Sequence, residues 1–133
     1  MEQKIVVHTK DGKVHKGITQ DFEPDRRTFH FLPAEGGGVP IKFELDKMKA
    51  VFWVKDYIGN RHFVARREFG ETPAARRPAV VLFQDGEEIW GSVADLSENL
   101  PGFFFFPGDT EDNNIRIFVV RSAMKELRLE PTG

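Results

Sequence analysis

Two stretches of this chain are versions of one another, and that constrains the fold more than any single motif. Residues 5–33 align with residues 79–107 at a constant offset of 74, so that Val6 matches Val80, Val7 matches Val81, Asp11 matches Asp85 and Gly12 matches Gly86. Gly17 then matches Gly91, Asp21 matches Asp95, Phe29 matches Phe103, Phe31 matches Phe105 and Pro33 matches Pro107. After a loop two residues longer in the second copy the offset becomes 76, and Ile41, Met48 and Lys49 match Ile117, Met124 and Lys125. An internal duplication requires each copy to be a complete supersecondary unit that buries an apolar face. The expected division is a first repeat at 1–55, a basic, partly structured linker at 56–78 and a second repeat at 79–133.

Within each copy the pattern is that of short strands. Asp11-Gly12 and Asp85-Gly86 stand between alternating apolar runs, a strong hairpin signal because glycine tolerates positive φ. A third strand ends at a proline, Pro33 or Pro107, which cannot continue a central ladder. A fourth strand, one turn around Asp46 to Met48 or Arg121 to Met124, and a fifth strand complete the unit. Within the linker, Gly59-Asn60 reads as a turn and His62 to Ala65 as an extra strand. Five short strands with a tight first hairpin predict a small bent barrel. The expected fold is all-β: two tandem five-stranded barrels packed against each other.

Units of roughly 50 to 55 residues lie near the lower limit for an independent core, so the copies are expected to lean on one another. Thirteen Phe supply material for burial, and the absence of Cys rules out disulfide or thiolate-metal staples. The N-terminus runs directly into a strand pattern, and no apolar run approaches the ~18 to 20 residues of a spanning helix, which predicts a cytoplasmic protein away from membranes. Charge is uneven: residues 1–54 are net +1, residues 55–78 net +3 and residues 79–133 net −6. So acidic a second copy repels phosphate backbones and disfavours broad nucleic-acid binding through it.

Catalytic chemistry has little to stand on. The three Ser (Ser92, Ser97, Ser122) lie in the copy without His, and the four His (His8, His15, His30, His62) have no histidine at the matched positions Leu82, Ile89 and Phe104. Nucleophile and base are therefore not expected to meet, and strand histidines outweigh a metal site. Asp11 and Asp85 are explained by turn geometry. The acids of the second copy, Glu87, Glu88, Asp109, Glu111 and Asp112, lack calcium-loop spacing and read as a solvated face. No catalytic residue, metal or cofactor is expected.

The run Phe103 to Phe106 is the most unusual local feature. Strand alternation sends Phe103 and Phe105 inward and leaves Phe104 and Phe106 outward beside Trp90. Outward aromatics mark a contact, between the copies or with a partner. The pairs Arg26-Arg27, Arg66-Arg67 and Arg76-Arg77 concentrate positive charge, to neutralise the second copy or to hold an anion.

The segment Val80-x-Leu82-x-x-Asp85-Gly86-x-x-Ile89-x-Gly91-x-Val93 resembles the first half of the Sm-like barrel signature, with a weaker echo around Asp11, Gly12 and Gly17. That resemblance implies a bent barrel whose family binds uridine-rich RNA, although Asp95 and Asp21 fall earlier than the family's RNA-contacting Asn. Gly91-x-Val93-x-Asp95-Leu96-Ser97 followed by Gly102-Phe103 is similar to the second motif of PilZ domains, receptors for cyclic di-GMP, with Arg66, Arg67, Arg76 and Arg77 upstream. The glycine comes two residues late and no Arg-x-x-x-Arg spacing exists. The overall cadence also resembles bacterial tandem-barrel proteins of no assigned activity.

The expected function is accordingly that of a non-enzymatic bacterial adaptor or regulatory module, engaging another protein or a second copy of itself through Phe104, Phe106 and Trp90. The competing expectation is a module for cyclic di-GMP or RNA built on Arg66, Arg67, Arg76, Arg77, Asp95 and Ser97.

Overall fold

The structure, a computed structural model, describes residues 4–35, 38–57, 67–109 and 111–130. The turn expected at Gly59-Asn60 and the strand expected at His62 to Ala65 lie outside the described residues, as does Arg66.

Each copy supplies five strands. The first gives β1 (Lys4–Thr9), β2 (Val14–Ile18), β3 (Thr28–Pro33), β4 (Ile41–Glu44) and β5 (Met48–Val54), with a 3-10 turn at Leu45–Lys47 before β5. The second gives β6 (Arg77–Phe83), β7 (Glu88–Val93), β8 (Gly102–Pro107), β9 (Asn114–Val120) and β10 (Met124–Leu129), with the matching turn at Arg121–Ala123. Four residues, 10–13 and 84–87, lie between the strands of each hairpin, two more than a bare Asp-Gly turn. Gly12 N–H donates to the Thr9 carbonyl (3.1 Å) and Gly86 N–H to that of Phe83 (3.0 Å), while Thr9 N–H and Phe83 N–H reach across to Lys13 and Glu87. Gly12 and Gly86 close these loops at φ of 90° and 94°, a region costly for residues with a Cβ.

The protein is all-β, but two closed barrels packed face to face are not what forms. The strands make one unclosed antiparallel sheet in the order β10-β6-β7-β8-β9-β5-β1-β2-β3-β4. The copies meet edge to edge through β5 and β9, in a register that sets Ala50 opposite Val119, Val51 opposite Phe118, Phe52 opposite Ile117 and Trp53 opposite Arg116. Backbone hydrogen bonding explains the outcome: a lone five-stranded copy leaves both outer strands with unpaired N–H and C=O groups, and joining β5 to β9 satisfies one edge from each.

The junction also explains how such small units obtain cores. Every residue of β5 is buried, and its side chains alternate between two apolar clusters on opposite faces. Ala50, Phe52 and Val54 enter the core of the second copy with Phe83, Phe103 and Phe105; Val51 and Trp53 enter the core of the first with Phe29, Phe31 and Phe43. Strand β9 reciprocates, sending Ile117 and Val119 to its own core and Phe118 and Val120 to the other. At roughly 25 cal/mol per Å² of apolar surface removed from water, this exchange couples the two cores across one sheet.

Candidate functional site

Phe103 and Phe105 are buried, as are their counterparts Phe29 and Phe31, so alternation along β8 runs as the sequence predicts. Phe104 and Phe106 therefore occupy the other face. Register extends that face: Ser92 of β7 sits opposite Phe106, Phe118 of β9 opposite Phe104, and Trp53 of β5 opposite Arg116. Trp90, Phe106, Phe104, Arg116 and Trp53 consequently share one side of the sheet, running from the second copy across the junction.

The half-buried rings of Trp90, Phe104 and Phe106, and the buried ring of Trp53 beside them, are each covered by a cation. Arg76 lies 4.2 Å from the centre of Phe106, and Arg128 lies 5.6 Å from that of Trp90. Arg116 stacks over both Trp53 at 4.4 Å and Phe104 at 4.6 Å. Burial lowers the Arg116 pKa below its ordinary value. Such contacts exploit the negative face of an aromatic ring and keep apolar area out of water while leaving the guanidinium edge free to donate.

The three aromatics singled out from the sequence divide into two neighbourhoods. Phe104 packs on Trp53 (5.6 Å), Phe118 (5.2 Å) and Phe22 (6.3 Å), so part of its surface is spent on contact between the copies. Trp90 and Phe106 lie further out; Trp90 tilts against Phe69 of the linker at 5.1 Å and donates its ring N–H to Glu88 at 2.6 Å. Phe22, Trp53 and Arg116 are additions that sequence reasoning missed. Parity with Phe118 along β9 was available for Arg116, but its meeting with Trp53 depends on the β5·β9 pairing.

The anion-binding candidates are spread along one hairpin. Arg67 leans on Glu88 at 3.8 Å, near the β6–β7 turn, whereas Arg77 lies opposite Val93 at the far end of the same ladder. Five ladder steps separate those ends, roughly 17 Å at the usual strand rise. Asp95 accepts the Ser97 N–H at 3.0 Å, and Arg121 pins that loop through the carbonyls of Leu96 and Ser97, both at 3.1 Å.

The three described histidines and Ser122 are structurally engaged. His30 Nδ1 lies 2.6 Å from Asp21 Oδ2, His8 tilts on Phe52 at 4.6 Å, and His15 tilts on Phe43 at 5.2 Å. Lys10 Nζ donates to Ser122 Oγ at 2.6 Å. Among the described residues no group of three His, Asp or Glu side chains is arranged to hold a metal ion, and no helix is long and apolar enough to cross a membrane.

These features define a class of protein: two homologous five-stranded units joined edge to edge, with an arginine-capped aromatic face spanning the joint. Over residues 1–130 the chain matches the sequence model of a family of unknown function (DUF6982), and it belongs to that family. Comparison with curated proteins and with solved structures gave no match.

Proposed function

We propose that this chain is a non-enzymatic adaptor that recognises another protein through the aromatic face formed by Trp90, Phe106, Phe104 and Trp53. The observation that carries the reading is the covering of these rings: arginines lie over Trp90, Phe106 and Phe104, which stay half-buried at the surface, and Arg116 also covers the buried Trp53 beside them. Aromatic side chains with arginine at their edges are the composition that concentrates binding energy at protein interfaces. The five strands of each unit, ordered 5-1-2-3-4 with a glycine in the second, accord with an Sm-like ancestry, which forms part of this proposal, as does a bacterial cytoplasmic setting.

The test is affinity capture from the native cell with nucleotides and RNA retained, comparing wild type with Phe104→Ser and Trp90→Ser proteins of unchanged circular dichroism. The adaptor reading expects a protein retained by wild type and lost from at least one variant. Recovery of RNA or a cyclic dinucleotide, lost when Arg67, Arg76 and Arg77 are replaced by alanine, would instead favour the nucleotide-binding reading.

A further inference from the structure

The joint between the copies contains a cleft that neither copy has alone. It holds about 330 Å³ and is lined by Phe22 and Pro24 from the loop after β2, Trp53 of β5, Phe104 of β8 and Arg116 of β9. The matched positions elsewhere in the duplication are Leu96 for Phe22, Leu129 for Trp53, His30 for Phe104 and Pro40 for Arg116, so no second version of the site exists.

Among the described residues Arg116 shares with Arg26, Arg76 and Arg77 the lack of an ion pair or side-chain hydrogen bond, and it lines this cleft. Arg27, Arg67 and Arg128 reach Asp46, Glu88 and Glu130, and Arg121 is satisfied by two carbonyls. Arg116 makes neither an ion pair nor a side-chain hydrogen bond among the described residues; Trp53 and Phe104 hold it by their faces. Contact with the two rings leaves its N–H groups without a protein acceptor among the described residues, and a guanidinium can pair with one carboxylate through two of them.

We infer that this cleft binds a short segment of a partner protein, with an acidic side chain on Arg116 and a neighbouring apolar side chain against Phe22, Trp53 and Phe104. A single guanidinium suits a single carboxylate. Glu23 also lines the cleft, and Asp21 and Asp25 flank it in sequence; their repulsion grows with the ligand's charge and so opposes a polyanion such as RNA more than a single carboxylate. This inference rests on the adaptor reading and specifies its ligand.

The probe is an array of hexapeptides, each pairing Glu or Asp with Phe, Leu or Trp, beside copies carrying Gln or Asn instead. Binding is read by isothermal titration calorimetry on the otherwise unmodified chain. Acidic peptides should bind at least about tenfold more tightly than their amide copies, the worth of a charge-assisted hydrogen bond in a partly dry site. Arg116→Gln should abolish that preference, and Arg116→Lys should retain only part of it, with circular dichroism showing both folded. Equal binding of acid and amide, no binding anywhere in the array, or displacement by inorganic phosphate would each overturn the inference. The adaptor reading is separable: a native partner that survives Arg116→Gln but is lost with Phe104→Ser refutes the carboxylate and leaves the adaptor standing.

Discussion

Lys49 of β5 places its ammonium 2.7 Å from the carboxylate of Asp85 and 2.6 Å from that of Glu87, tying the first copy to the turn of the second copy's first hairpin. The lysine side chain is only 11% exposed while both acids remain half exposed, and the ring of Phe83 lies 4.6 Å from the ammonium. The asymmetry decides what each substitution costs. Replacing Asp85 and Glu87 by Asn and Gln strands a nearly buried cation and should destabilise by about 3 kcal/mol. Lys49→Met leaves two acids that water can reach and should cost about 1 kcal/mol. Urea denaturation of the two variants measures the difference, and equal losses would refute the asymmetry.

The same pair sets a pH plateau. Burial lowers the Lys49 pKa, but hydrogen bonds to Asp85 and Glu87 outweigh it and leave the net value above the ordinary 10.5; the bond from Lys49 holds Asp85 below 3.8. The lysine's contribution is complete below about 10.5 and fades as pH rises through its elevated folded value. That of Asp85 is complete above about 3.8 and fades as pH falls through its depressed one. Stability curves of wild type and Lys49→Met should run parallel between those limits and converge outside them.

His8 acts in the opposite sense to a paired histidine. Burial, with help from the charge of Lys49, lowers its pKa from the ordinary 6.5, so the folded protein prefers the neutral ring. Below pH 6.5 the unfolded chain takes up a proton that the folded chain resists, and stability falls until the depressed folded pKa is passed. The second copy has Leu82 at this position. His8→Leu should therefore remove the stability loss between neutral and mildly acidic pH; thermal unfolding at a series of pH values would show the loss persisting if another group were responsible.

Gly17 and Gly91 show which part of the fold was legible in the sequence and why. Their recurrence at matched positions marked the second strand of each copy as a place that needs glycine, and close packing is there. The need for glycine, however, comes from a neighbouring backbone and not from φ. A Cβ on Gly91 would lie 2.0 Å from the Phe106 carbonyl oxygen, and one on Gly17 would lie 2.2 Å from that of Leu32. Gly91→Ala should thus cost about 3 kcal/mol, since a paired strand cannot retreat, whereas Gly12→Ala, with nothing within 4 Å, should cost only the ~1 kcal/mol of its left-handed backbone. Denaturant midpoints that reversed this order would disprove the crowding argument.

The five strands of each copy, the hairpins and the inward phenylalanines were readable because they depend on local periodicity and turn chemistry. The joining of β5 to β9 was not, because hydrogen bonding between edge strands leaves no periodic signature. Without that joint, Trp53 and Arg116 could not be placed beside Phe104, and the cleft they form stayed hidden. Continuous burial of β5 was the available clue: Ala50-Val51-Phe52-Trp53-Val54 has no polar face, as expected of a strand covered on both sides.

That clue, read across the duplication, predicts where the sheet stops. Strands β4 and β10 match β9 and β5, and a second chain could in principle add to them as β5 adds to β9. The residues that make the inner joint apolar are charged at the outer edges: Phe118 and Val120 become Lys42 and Glu44, while Ala50, Phe52 and Val54 become Glu126, Arg128 and Glu130. Burying these charges without partners costs more than the strand pairing returns, which is how natural edges resist addition. Sedimentation should find no concentration-dependent head-to-tail growth of the wild-type chain. Restoring the inner residues at both edges (Lys42→Phe, Glu44→Val, Glu126→Ala, Arg128→Phe, Glu130→Val) should produce heterologous chains or rings. Growth of the unmodified protein, halted by Lys42→Pro, would show instead that these edges are built to pair.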